Sequence, residues 1–137
     1  MALSFLLDTS VLKRLGHRDV RTVVEPLAAT GQLGRPSICD LEVGYSAHNS
    51  EEWDRLVQAL DPFDRIETTA AHLRRALQVQ RLLAQRSQRG RKIPDLVIAA
   101  TAEQLDVAVL HYDADFDAIA SVTGQRCQWV VPAGSVH

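Results

Sequence analysis

Short apolar runs of strand length alternate with longer segments of helical periodicity along the whole chain. The strand-length runs are LSFLL, the residues around LGRP, DRIETT, VAVLH and CQWVV. Between these runs, apolar residues recur at spacings of three and four, as Trp53, Leu56, Val57 and Leu60 do. Such alternation predicts an α/β fold, with a mainly parallel central sheet and helices on both of its faces.

Individual residues predict where several helices begin, break or end. Ser10 is favoured as the cap of the first helix, because its hydroxyl can accept a hydrogen bond from an unpaired backbone N–H. Pro26 interrupts a second helical stretch early. A third helix begins near Asp40, and Gly90 ends the long helix that starts near Ala70.

Composition narrows the class of protein. A length of 137 residues fits a single domain spanning residues 1–137, and 46% hydrophobic with 23% charged residues is ordinary for a globular protein. No apolar run approaches the roughly 18 residues that a membrane span requires, and the start of the chain lacks the basic residues of a signal peptide. Cys39 and Cys127 are isolated and form no zinc-binding pattern, so we expect a reduced, cytoplasmic protein.

The segment KIPDLVIAATAEQL predicts an apolar helix that begins with an acid directly after a proline. Leu96, Val97 and Ala100 repeat at helical spacing, so one face of this helix should be buried. N-capping explains Asp95, since a carboxylate there accepts a backbone N–H and faces the positive end of the helix dipole. A second interpretation makes Asp95 a metal ligand. The two roles are compatible, and we expect both.

Four acids fall at strand ends or helix starts. Asp8 ends the first strand, Asp113 ends VAVLHYD, Asp95 opens the preceding helix, and Glu42 lies early in a helix after a short strand. In a parallel sheet these positions share the edge where ligands bind. Each acid alone is also explained as a turn residue, a cap or a solvated helix residue. Only the coincidence of all four predicts a common site.

Four carboxylates in one crevice repel one another and require compensation. A hard divalent cation provides it, because Mg²⁺ and Mn²⁺ prefer oxygen ligands. Such ions lower the pKa of bound water and neutralise charge on phosphate oxygens, so phosphodiester hydrolysis is the expected reaction class. The acids therefore predict a site for Mg²⁺, with Mn²⁺ able to substitute.

A cluster of positive charges precedes the acidic segment at Asp95. The residues that lead into it are Arg86, Arg89, Arg91 and Lys92. A run of this kind is often a solvated helix end and loop. Beside an acidic pocket, however, the same side chains would contact RNA phosphates, which positions RNA without specifying its sequence.

Four segments closely resemble the motifs of a PIN domain, and specifically of a VapC-type toxin ribonuclease from a bacterial toxin–antitoxin pair. They are LLDTSV, CDLEVGYSA, IPDLVIAATA and VLHYDADFDAIA, which occur in the family's order and cover nearly the whole chain. The resemblance implies a PIN-like three-layer α/β/α fold and a Mg²⁺- or Mn²⁺-dependent endoribonuclease. It further implies that the metal-binding catalytic acids are Asp8, Glu42, Asp95 and Asp113, with Asp115 as an additional candidate ligand.

The resemblance extends to partners and substrates. Proteins of this kind are usually homodimers held inactive by a VapB antitoxin, and they cut structured RNA, such as a tRNA or ribosomal RNA, at one site. This chain departs from the family at His111, where many members carry Thr or Ser. A histidine on a strand is more often packed or hydrogen-bonded than catalytic, although its pKa also suits acid–base chemistry. Thr9 supplies a hydroxyl after the first acid and is a candidate contact to RNA or to water at the metal.

Two alternative functions remain. A receiver domain or an aspartate-nucleophile phosphatase also places acids at strand ends. The phosphatase needs a second Asp where this chain has Ser10, and VAVLHYDAD has no lysine for a receiver. The other alternative is a PIN-like module that binds metal or an antitoxin arginine without turnover. RNA cleavage that disappears in Asp8→Asn and Asp95→Asn variants would argue against such a module.

Overall fold

The computed structural model describes residues 2–137, which form one five-stranded sheet flanked by helices. The strands are β1 (Phe5–Leu7), β2 (Leu33–Pro36), β3 (Asp64–Ile66), β4 (Ala108–His111) and β5 (Cys127–Trp129). They lie in the order β3-β2-β1-β4-β5, and every neighbouring pair is parallel. The predicted parallel sheet is confirmed. Its strand order reverses between β1 and β4, which is where a sheet of this type opens a crevice.

Seven helices connect the strands within the described part of the chain. They are α1 (Thr9–Leu12), α2 (Arg18–Ala29), α3 (Ser37–Gly44), α4 (Ser50–Gln58), α5 (Ala70–Gln85), α6 (Ile93–Leu105) and α7 (Asp115–Thr123). The helices form two layers, because successive strand residues point to opposite faces of the sheet. Leu6 and Val109 pack with α5, α6 and α7, whereas Leu7 and Leu110 pack with α1 and α2. The three-layer α/β/α arrangement is therefore confirmed.

The middle of helix α6 is buried on all sides, whereas Ile93 and Leu105 at its ends are exposed. The eight consecutive residues 95–102 are all buried. A helix that is apolar around its whole circumference lies in the interior of a protein, so the prediction of a single buried face is wrong. Across residues 2–137, no helix is both long and apolar enough to cross a membrane.

The predicted cap of α1 is wrong. Asp8 caps this helix, with its Oδ2 accepting the N–H of Ser10 at 3.0 Å. Ser10 Oγ instead accepts the N–H of Tyr112 at 2.8 Å, which links α1 to the end of β4. The short polar side chain of Asp8 thus fixes the first helix turn, while Ser10 joins two distant segments of the chain.

Three other predicted boundaries differ from the structure. Helix α3 begins at Ser37, earlier than predicted. Pro26 lies inside α2, and the helix continues through it. Because proline has no N–H, the carbonyl of Thr22 loses its helical hydrogen bond, but Thr22 is exposed and its carbonyl can bind water. Helix α5 ends at Gln85, before the predicted Gly90, because Ser87 adopts a φ of 57° and closes the helix end.

Candidate metal centre

The edge of the sheet where β1 and β4 end brings three acids together. Asp8 follows β1 directly, Asp113 lies two residues beyond β4, and Asp95 lies in the first turn of α6. Each residue offers one carboxylate oxygen, and these oxygens lie within 4.8 Å of one another. Three of the four acids that the sequence grouped therefore share one pocket.

Asp8 is held in this pocket by the start of α1. Only 3% of the residue is exposed. Burial raises the pKa of Asp8, and the nearby charges of Glu42 and Asp113 add to this shift, although the hydrogen bonds with Ser10 oppose it. The protein alone therefore compensates the charge of Asp8 only in part.

The charge of Asp95 is compensated even less than that of Asp8. Lys92 is the N-cap residue of α6, no side-chain hydrogen bond caps this helix, and the predicted capping role of Asp95 is wrong. Among the described residues, Asp95 Oδ2 has no hydrogen-bond partner although it is buried; Lys92 Nζ lies 3.4 Å away. Burial and the charge of Asp8 together raise the pKa of Asp95 to about 8. A buried carboxylate with so few partners favours a bound cation.

Glu42 lies beside the group of three acids. Thr9 Oγ1 donates a hydrogen bond to Glu42 Oε1 at 2.7 Å, which orients this side chain on α3. Glu42 is close enough to raise the pKa of Asp8, yet it is not one of the three residues whose oxygens converge. Thr9 is itself 3% exposed, so its hydroxyl is used inside the protein.

Asp113 and Asp115 are paired with two basic residues. Lys92 Nζ lies 2.6 Å from Asp113 Oδ2 and 3.1 Å from Asp115 Oδ2. Arg91 Nη1 lies 2.9 Å from Asp115 Oδ1. Although burial favours the neutral acid, hydrogen bonds from Lys92 and Arg91 lower the pKa of Asp115. Burial likewise opposes the charge of Lys92, but its hydrogen bonds to the two acids outweigh this and raise its pKa.

The other two members of the predicted basic run lie elsewhere. Arg86 Nη1 donates to Ser121 O at 3.3 Å, and Arg89 is exposed in the segment between α5 and α6. Within residues 2–137, neither arginine forms an ion pair with an acid. Within the predicted basic run and residues 2–137, Arg86 and Arg89 are therefore the members without an acidic partner, whereas Arg91 and Lys92 already contact carboxylates.

His111 is packed in the core beneath Asp113. Its ring centroid lies 4.9 Å from that of Phe116 and 5.0 Å from that of Trp129. Nδ1 accepts the N–H of Asp113 at 3.2 Å, and burial lowers the pKa of His111, so the ring is neutral. The packed interpretation of His111 fits this geometry, because the ring supports the segment that carries Asp113.

The donor set fits a hard divalent cation. The candidate ligand atoms are all carboxylate oxygens, and among the described residues Asp95 Oδ2 has no hydrogen-bond partner. Oxygen donors of this kind suit Mg²⁺ or Mn²⁺ better than softer metals. Sequence reasoning missed the ion pairs of Lys92 and Arg91 with the acids. For Lys92 a signal was present, because it precedes Asp95 by three residues at a helix start, where such side chains are neighbours.

Comparisons with known proteins agree with this geometry. The family model described as PIN domain matches residues 5–122. Ribonuclease VapC51 of Mycobacterium tuberculosis (strain ATCC 25618 / H37Rv) is 66% identical over 136 residues, which cover 99% of this chain and 99% of that protein. Ribonuclease VapC21 of Mycobacterium tuberculosis (strain CDC 1551 / Oshkosh) is 39% identical over 137 residues, covering 98% of this chain and 99% of that protein.

A solved structure has the same fold. The crystal structure of DNA-bound VapBC from Salmonella typhimurium contains a chain that matches with a TM-score of 0.77 and 18% identity, covering 94% of this chain and 99% of that one. The chain described here therefore belongs to the PIN-domain family. Within that family, its similarity over nearly the whole length is to VapC proteins.

Proposed function

We propose that this chain is a metal-dependent endoribonuclease toxin of the VapC type, acting as one domain over residues 1–137. The observation that carries the proposal is the buried Asp95, which lies with the carboxylates of Asp8 and Asp113 and whose Oδ2 has no hydrogen-bond partner within residues 2–137. The nearly full-length similarity to two proteins named as ribonucleases supports the same activity.

The chain's own residues divide the work of binding and orientation. Asp8, Asp95 and Asp113 would hold a divalent ion, Mg²⁺ with Mn²⁺ able to substitute. When bound, such an ion supplies an acidified water and positive charge against the phosphate of the substrate. Glu42, oriented by Thr9, would accept a hydrogen bond from the attacking water and turn it toward phosphorus.

The substrate we propose is structured RNA, a tRNA or a ribosomal RNA cut at a specific site. Arg86 and Arg89 precede the acidic segment in sequence and have no acidic partner within residues 2–137, so they would contact the RNA backbone. Contacts of this kind set the register of the RNA, while the position of the cut depends on its shape.

A VapB-type antitoxin is the partner that we propose, with the chain itself forming a homodimer. Solved structures with the same fold are VapBC complexes from Salmonella typhimurium and Rickettsia felis. The chain also exposes an apolar ridge made by Leu73, Leu77 and Ile93, which are 53%, 68% and 67% exposed. An exposed apolar ridge of this kind is the sort of surface that a partner covers.

Both cysteines are free thiols, as a cytoplasmic location would require.

Cleavage of total cellular RNA by purified, antitoxin-free protein tests the proposal. We expect discrete cuts with Mg²⁺ or Mn²⁺ and none with EDTA. Asp95→Asn should abolish them, whereas Asp61→Asn, a matched change at an exposed acid outside the pocket, should leave them unchanged. Mapping the RNA ends would then identify the substrate.

A catalytically silent module is the second candidate, because Lys92 and Arg91 already neutralise part of the acidic pocket without any metal. This candidate predicts no cleavage by folded protein in any of these lanes. If the wild-type preparation does cleave RNA, this candidate attributes the cleavage to a contaminant. The cleavage should then persist in Asp95→Asn.

A further inference from the structure

The ammonium group of Lys92 lies among the acids of the pocket. Nζ is 2.6 Å from Asp113 Oδ2, 3.1 Å from Asp115 Oδ2 and 3.4 Å from Asp95 Oδ2. Within residues 2–137 it forms no ion pair with Asp8. Lys92 therefore contacts two of the three acids of the candidate metal group, Asp95 and Asp113. It also contacts Asp115, which is not in that group.

The fold fixes this lysine at the entrance of α6. Lys92 is the N-cap residue, with extended backbone angles, and its side chain reaches the acid three residues on. The preceding Arg91 is fixed as well, because its Nε donates to Gln88 O and its Nη1 donates to Asp115. Two consecutive basic residues are thus held against Asp115.

The oxygens of Asp113 and Asp115 are engaged within the protein. Asp115 Oδ1 accepts from Arg91 and its Oδ2 accepts from Lys92. Asp113 Oδ1 accepts the N–H of Asp115, and its Oδ2 accepts from Lys92. Asp95 Oδ2 is left without a hydrogen bond. One cation position, at Asp113 and Asp115, therefore already holds a positive charge, and the other lies at Asp8 and Asp95, with Asp113 shared between the two.

Phosphodiester hydrolysis at acidic sites commonly uses two positive centres roughly 4 Å apart. A lysine ammonium is a compact point charge with three donors, so it can serve as one of the two. We propose that Lys92 is a positioning residue that supplies the second positive charge of this site, so that each chain binds a single divalent ion, at Asp8, Asp95 and Asp113. This inference rests on the proposed function, because it assumes that the three acids bind a metal.

Counting bound Mn²⁺ tests the inference independently of RNA cleavage. Electron paramagnetic resonance of free Mn²⁺, with calorimetry as a check, should give one tightly bound ion per wild-type chain. Lys92→Met should bind two, because the change frees the Oδ2 atoms of Asp113 and Asp115. Lys13 is the other lysine in the sequence, and it is exposed at the end of α1, so Lys13→Met should keep the count at one. Two ions in the wild type, or one in both the wild type and Lys92→Met, would contradict the inference.

The wild-type protein alone allows a second test, which does not depend on the folding of a variant. With only two lysines, ¹⁵N-labelled lysine gives at most two side-chain ammonium signals. Carboxylate contacts slow proton exchange, so the Lys92 signal should be visible and should remain after saturation with Mg²⁺. Loss of the signal on adding Mg²⁺ would mean that the ion displaces Lys92, and the inference would fail.

The two tests separate this inference from the proposed function. A wild-type chain that binds no Mn²⁺ and cleaves no RNA would overturn the proposed metal-dependent nuclease, and this inference with it. One bound ion, metal-dependent cleavage and a lost Lys92 signal would overturn only the role of Lys92. One bound ion with a retained signal, and a second ion in Lys92→Met, would support both.

Discussion

Two pairs of acids lie in the same pocket and differ in how the protein compensates their charge. The inner pair, Asp8 and Asp95, is about 97% buried at both residues, and its pKa values are raised. The outer pair, Asp113 and Asp115, is partly exposed and contacts Lys92, while Arg91 lowers the pKa of Asp115 further. The difference arises from partners as well as from burial, since no basic side chain contacts Asp8 within residues 2–137.

This contrast indicates where the protein retains binding capacity for a ligand. A carboxylate that is already satisfied by lysine and arginine gains little from a further cation, whereas a buried one with few partners gains much. The inner pair is therefore expected to contribute most to metal binding, with Asp113 as the third ligand, and Asp115 is expected to hold the pocket in shape. Substitutions in the two pairs should give clearly different results.

The largest difference is expected in RNA cleavage. Asp95→Asn should reduce single-turnover cleavage roughly 1,000-fold, equivalent to about 4 kcal/mol of transition-state stabilisation. Asp115→Asn should reduce it only about 10-fold, because Asp115 acts through its contacts with Lys92 and Arg91. Cleavage of a labelled RNA with Mg²⁺ measures both. Equal losses in the two variants would show that the inner and outer pairs do not differ in function.

The next effect concerns folding stability without metal. In EDTA, Asp95→Asn should increase the free energy of unfolding by on the order of 2 kcal/mol, since it removes a buried acid whose ionised form has little compensation. Asp115→Asn should leave it unchanged or lower it slightly, because ion pairs as exposed as these contribute little. Urea denaturation of both variants beside the wild type measures the difference. A destabilised Asp95→Asn would mean that the pocket tolerates the charge without a metal.

The two pairs should also give opposite pH dependence in EDTA. The pKa of Asp95 in the folded protein, about 8, exceeds its ordinary value of 3.8, so its contribution to stability is present below about pH 4 and is lost as pH rises toward 8. The folded pKa of Asp115 lies below 3.8, so its contribution is present above about pH 4 and is lost as pH falls.

Denaturation between pH 3 and pH 9 can separate these contributions. Asp95→Asn should flatten the loss of stability toward alkaline pH, and Asp115→Asn should flatten the loss toward acidic pH. Suppose that stability still fell with pH as in the wild type, toward alkaline pH for Asp95→Asn and toward acidic pH for Asp115→Asn. The assignment of the two pKa shifts would then be incorrect.

The smallest effect is expected beside the inner pair. Thr9→Val removes the hydrogen bond that orients Glu42 and should lower stability by about 1 kcal/mol. Cleavage should fall about 5-fold, a change of about 1 kcal/mol in the barrier, while the count of bound Mn²⁺ stays the same. Thr9→Ser, which keeps the hydroxyl, is the matched control and should restore cleavage. A loss of bound metal in Thr9→Val would place Glu42 among the ligands.

The parallel sheet and the meeting of Asp8, Asp95 and Asp113 were predictable from sequence. Alternating strand and helix patterns determine the layers, and acids at strand ends collect at one edge. The Asp95 cap and the one-sided burial of α6 were predicted incorrectly, because local rules treat a helix as a surface element with a free end. In the structure this helix is enclosed, and Lys92 precedes its first turn.

The pairing of Lys92 and Arg91 with Asp113 and Asp115 was also beyond sequence reasoning. A basic run beside an acidic segment is compatible with solvent, with RNA or with the acids themselves, and periodicity does not distinguish these partners. The choice depends on how the segment between α5 and α6 turns, which is set by the positive φ angles of Ser87 and Gly90. His111 was different, since its position on a strand already favoured the packed role that the ring contacts fit.

The strand order has a consequence for synthesis of the protein. The hydrogen bond between Ser10 and Tyr112 joins positions 102 residues apart. Strand β1 pairs with β4, and Asp8 and Asp113 follow the ends of these two strands. An elongating chain on the ribosome therefore has no complete pocket until β4 and Asp113 have emerged. A nuclease assembled in this order would stay inert until nearly its whole chain has been translated.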